Sequence, residues 1–106
     1  MVLNYSDITS SAPAPGVTRR VLAHAPNLMA VEVTFETGAV GDVHSHPHEQ
    51  ATYVVSGRFT YEEGGQTYTI GQGDSYYVAP DVPHGVVCLE AGVLLDIFTP
   101  QREDFL

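Results

Sequence analysis

Residues 38–57 read "GAVGDVHSHPHEQATYVVSG". Three histidines, His44, His46 and His48, alternate through its centre, with Glu49 and Gln50 behind them. Side chains two residues apart on a strand share a face. In a strand, His44 and His46 therefore offer two imidazoles to one metal ion. His48 and Gln50 have the same parity, but Pro47 interrupts the ladder, so parity alone does not place them. Glu49 has the opposite parity and is expected to point away. His84, in "APDVPHGVVCLE" (79–90), joins the set only if the fold brings it alongside. Imidazole nitrogens with an amide oxygen suit a borderline first-row divalent ion, one of Zn, Ni, Fe, Mn or Co. The competing reading of "HSHPH" is an exposed His-rich tract with incidental metal affinity.

Outward from this stretch the chain is dominated by strand signals. "LMAVEVTFE" (28–36) alternates, with Met29, Val31, Val33 and Phe35 on one face and Ala30, Glu32, Thr34 and Glu36 on the other. "ATYVVSGRFTYEEGGQTYTIGQG" (51–73) reads as strand, strand, turn at "EEGGQ", strand. "TRRVLAH" (18–24) supplies an earlier strand, and "DSYYVAP" (74–80), "HGVVCLE" (84–90) and "VLLDIFT" (93–99) three later ones. No segment holds a helical period. An all-β sandwich or small barrel follows, since closed or double-sheet arrangements hide so many strand edges. The pattern does not choose between the two. The first 16 residues, of which 6–16 are rich in Ser, Ala and Pro, read as an extended N-terminal arm, and residues 1–106 as a single domain. His24, in "LAHAPN", reads as a loop residue.

Charge narrows the partners. Thirteen acids face four basic residues, all arginine, for a formal net charge of −9. Nucleic acid and anionic membrane surfaces are disfavoured, because both need basic patches. A small anionic ligand remains admissible, since the field inside a cleft can oppose that of the whole surface. No apolar run is long enough to span a bilayer, and the N-terminus lacks the basic start and apolar run of a signal peptide. The single Cys88 rules out an internal disulfide and reads as a small core residue. A reducing, cytoplasmic setting is expected.

The glycines flanking the histidines add a register. Gly38, five residues, His44, one residue, His46, three residues, Gln50, six residues, Gly57: this spacing resembles the first motif of the cupin superfamily, with Gln50 at the position of its glutamate. The second motif runs from Gly73–Asp74 to His84, with Ala79 where proline is usual and Asp81 where glycine is usual. The resemblance implies a double-stranded β-helix, or jelly-roll barrel. It also implies one divalent transition metal held by His44, His46, Gln50 and His84. It assigns no ligand role to His48. Three neutral imidazoles and a neutral amide leave the full charge of the ion in place. That makes a stronger Lewis acid and suits an anionic substrate.

The tail, "VLLDIFTPQREDFL" (93–106), carries the second signal. Alternation puts Leu94, Asp96 and Phe98 on one face. A carboxylate inside an apolar strand needs a partner or a function. Arg102 reads as the one arginine placed to approach the cavity mouth; the competing reading is a surface arginine paired with Glu103 or Asp104. "HSHPHEQATYVVSGRF" together with this tail resembles the KdgF-type pectin-degradation cupins. That resemblance implies that Asp96, Phe98 and Arg102 are needed for activity, with Phe98 and Arg102 against the substrate. The implied reaction is ring opening of 4,5-unsaturated monouronates from pectin or alginate breakdown to the linear 5-keto-4-deoxyuronate. A homodimer is also expected. The rivals are a cupin dioxygenase with a redox metal and a non-enzymatic module that binds sugar acids.

Overall fold

The computed structural model describes residues 1–106. The alternating segment forms β3 (Leu28–Phe35), and Met29, Val31, Val33 and Phe35 are all buried. Six further strands are β1 (Ser11–Ala14), β2 (Val17–Ala25), β4 (Val40–His44), β5 (Glu49–Glu63), β6 (Gln66–Gly71) and β7 (Ser75–Val78). The last is β8 (His84–Thr99). Where the sequence reads one strand on each side of Gly57 and of Gly92, the structure runs one long strand through each. β5 and β8 pair antiparallel along nearly their whole lengths, with register shifts between Val54 and Phe59.

Those shifts bend the pair, and glycine permits the bend. Gly57 takes φ +83°. A Cβ there would meet the Glu90 carbonyl oxygen at 2.6 Å and the Gly92 Cα at 2.7 Å. The bend splits the continuous sheet into two facing layers. Residues 49–56 of β5 and 92–99 of β8 join β3, β2, β1 and β7 in one layer. The remaining halves of β5 and β8 join β6 and β4 in the other. Phe35 of the first layer meets Phe59 of the second edge to face, ring centres 5.3 Å apart. Between the layers lies a cluster of 14 buried apolar residues, Cys88 among them. Each large side chain fully buried there stabilises the fold by about 1.5–3 kcal/mol. The result is the jelly roll that the cupin resemblance implies, all-β apart from two short 3-10 turns.

The N-terminal segment lies on the chain's own sheet. β1 pairs with β2, and the Tyr5 hydroxyl donates to Glu32 at 2.7 Å. His24 is not in a loop: it belongs to β2, and its Nδ1 lies 2.7 Å from Oε1 of Gln101. No helix is long and apolar enough to cross a membrane.

Candidate metal centre

One end of the barrel gathers the histidines. His44 closes β4, His84 opens β8, and the two are cross-strand partners with ring centres 4.5 Å apart. His46 lies beyond the end of β4, so it does not share a strand with His44 as parity reasoning supposed. A loop contact places it instead. The Asp81 N–H donates to the His46 carbonyl at 2.8 Å. Asp81 adopts φ +66°, the left-handed region that glycine would fill and that Asp tolerates better than most residues. The His46 ring then sits 5.0 Å from His84 and 5.6 Å from His44, centre to centre. One ring nitrogen from each of the three lies within 4.8 Å of the others.

Tautomers decide what these nitrogens offer. Nδ1 of His44 faces the Asp42 carbonyl at 2.9 Å, that of His84 the Val82 carbonyl at 2.9 Å, and that of His46 the His48 carbonyl at 3.2 Å. A carbonyl only accepts, so each Nδ1 carries the proton and each Nε2 keeps a lone pair. Nε2 of His84 is buried with no hydrogen-bond partner. Nε2 of His46 lies 2.9 Å from Oε1 of Gln50. The Gln50 amide nitrogen donates to Thr52 Oγ1 at 2.9 Å and to Asp96 Oδ1 at 3.3 Å, which fixes Oε1 toward His46. Two acceptors thus face each other. An imidazolium could donate across that gap, but burial lowers the pKa of both His46 and His84 and favours the neutral rings. A cation shared by the lone pairs satisfies all of them. The donor set therefore fits a divalent metal held by His44, His46, His84 and Gln50.

His48 stands outside this set. It is half-buried and serves His46 through its carbonyl. Glu49 points outward and accepts from the Tyr77 hydroxyl at 2.7 Å. The glutamine also has a neighbour that the sequence did not reveal. A glutamate at position 50 would set a second carboxylate against Asp96, where the amide now donates to it.

Asp96 faces Thr52 across the β5–β8 ladder, and the Thr52 hydroxyl donates to it at 2.6 Å. Burial pushes its carboxyl up to about 6, with the Thr52 and Gln50 hydrogen bonds opposing. A cavity of about 410 Å³ opens here, lined by His44, Gln50, His84, Asp96, Phe98 and Arg102. Arg102 is only 8% exposed. It grips Asp104 with two hydrogen bonds of 3.0 and 2.9 Å and lies over the rings of Phe98 and Phe105. The pairing with Asp104 was foreseen as the sign of a surface arginine; the structure joins that pairing to a cavity position. Arg102 is not the only arginine there, because Arg19 of β2 also lines the wall. Sequence reasoning missed Arg19, Phe105 and Thr52. Thr52 alone had a signal, its parity with Gln50.

A jelly roll with three histidines converging at one end of its barrel is the architecture of a cupin, and this chain belongs to the cupin superfamily. The Cupin domain family model matches residues 31–98. Within the superfamily the chain is similar to the pectin degradation protein KdgF of Dickeya dadantii (strain 3937). The two are 41% identical over 93 residues, covering 86% of this chain and 84% of that protein. The solved structure of KdgF from Halomonas sp. superposes with a TM-score of 0.94 at 37% identity, over 100% of this chain and 98% of the other. An RmlC-like cupin from Shewanella frigidimarina NCIMB 400 matches with a TM-score of 0.94 at 39% identity, over 99% and 95% of the two chains.

Proposed function

We propose that this cavity opens the ring of 4,5-unsaturated monouronates, releasing the linear 5-keto-4-deoxyuronate, with one divalent transition metal at His44, His46, Gln50 and His84. The observation that carries this reading is a titratable carboxyl, Asp96, tethered to the same glutamine whose oxygen faces the histidine cluster. Kinship with a pectin degradation protein supports the substrate class.

The substrate is an enol ether closed through a hemiacetal. Opening it removes the proton of the anomeric hydroxyl, breaks the bond from carbon 1 to the ring oxygen and leaves an enolate, which becomes a ketone when carbon 4 gains a proton. One proton leaves and one arrives, so no co-reactant is needed. Asp96 moves that proton. A carboxyl with a pKa of about 6 holds both protonation states near neutral pH. Thr52 keeps its carboxylate oriented. Arg102 holds the substrate carboxylate, and Phe98 forms an apolar wall against the ring. When bound, the divalent ion supplies a Lewis acid for the negative charge that develops on oxygen.

The reading includes a homodimer. Tyr53 and Val55 of β5 and Tyr77 of β7 are exposed on the outer face of one layer, an apolar surface that a second copy would cover. The test of the reaction is NMR of metal-loaded protein with lyase-generated unsaturated monouronates from pectin and from alginate. The expected result is loss of the ene signal and growth of the open-chain keto product. Persistence of the ene signal on both substrates contradicts the proposal.

A further inference from the structure

Arg19 sits in β2 opposite Val33 of β3, and its side chain reaches the cavity that holds Asp96 and Arg102. Its guanidinium carbon lies 3.8 Å from the centre of the Phe105 ring, and that of Arg102 lies 4.3 Å from the same centre. One aromatic ring therefore holds two guanidinium groups beside one cavity. Their charges are balanced differently. Arg102 is paired with both carboxylate oxygens of Asp104. Arg19 makes no ion pair, and its side chain donates no hydrogen bond within the chain. Burial and the neighbouring Arg102 both lower its pKa, with Asp104 opposing. It is a cation packed in place with little of opposite sign to face.

Packing over Phe105 holds the Arg19 guanidinium in place, so little freedom is lost when it grips a ligand. Its N–H donors are free for an anion. We infer that Arg19 is an anion-recognising residue of this cavity, supplying the uncompensated positive charge by which a sugar acid is preferred to the matching neutral sugar. The inference rests on the sugar-acid reading of the site, but its test needs no turnover.

The probes are galacturonate and galactose, titrated calorimetrically into metal-loaded protein. The parent is expected to prefer the acid. Arg19→Met keeps the length and apolar stem of the side chain and removes its charge. It should lower galacturonate affinity by about tenfold, as for the loss of one charge-assisted hydrogen-bonded contact, and leave galactose affinity unchanged. Arg19→Lys should retain most of the preference. Arg19→Gln serves if the Met variant fails to fold, with circular dichroism and metal content as the fold controls. Galacturonate affinity within about twofold of the parent in a folded, metal-loaded Met or Gln variant overturns the inference, whatever the ring-opening assay shows. Equal affinity of the parent for the two sugars overturns it together with the sugar-acid reading. A parent that prefers galacturonate yet opens no ring sinks the proposed reaction and leaves the role of Arg19 standing.

Discussion

The proposed chemistry turns on one side chain, Asp96, and its cost to the fold is measurable. Burial holds its carboxyl near 6, above the value of about 3.9 that an Asp has in an unfolded chain. The folded state therefore binds the proton more tightly. The contribution of Asp96 to stability is highest below about pH 4, falls as pH rises toward 6, and continues to fall only until the folded-state carboxyl is ionised. In protein stripped of metal with chelator, Asp96→Asn should be more stable than the parent at pH 7, by on the order of 2 kcal/mol, with the difference gone by pH 4. Urea melts at the two pH values check it; an Asn variant less stable than the parent at pH 7 contradicts the assignment. An acid between leucine and isoleucine stands out in any reading of the sequence, as do histidines in motif register. Arg19 does not stand out. It sits in an ordinary stretch of strand, and only the pairing of β2 with β3 and the return of the tail bring it to Phe105.

At the scale of elements, the site depends on two long strands that bend without breaking. Gly57 takes the left-handed conformation where any side chain would strike the backbone of β8. Gly57→Ala should destabilise the fold by about 2 kcal/mol or more, through left-handed strain and through the clash. A thermal melt of the variant reads this directly, and an unchanged midpoint refutes the account of the bend. The sequence pattern showed turn signals at these glycines and so divided each long strand in two. Alternation reports which side is buried, but it does not distinguish a strand that stops from one that bulges and continues. The loop holding His46 was opaque for a related reason. Its position is set by a hydrogen bond from Asp81, more than thirty residues away, in a backbone conformation that a departure from the motif does not announce.

The whole molecule is a small acidic barrel whose open end carries an imidazole cluster, a raised carboxyl and two arginines. Under the proposed function, the two arginines and a divalent metal would let a chain of net charge −9 receive an anion. Its apolar outer face leads to the expectation of a dimer; light scattering at several dilutions should give twice the 11.4 kDa chain mass, and a monomer at all of them refutes that expectation. The central claim is that the carboxyl beside the metal ligands moves the proton that opens the sugar-acid ring. The direct measurement is the NMR rate of monouronate ring opening by the parent and by Asp96→Asn, at equal, measured metal content. The account predicts turnover by the parent and a rate at least about 100-fold lower in the variant, the usual scale for loss of a general acid or base. Equal rates in the two proteins contradict it.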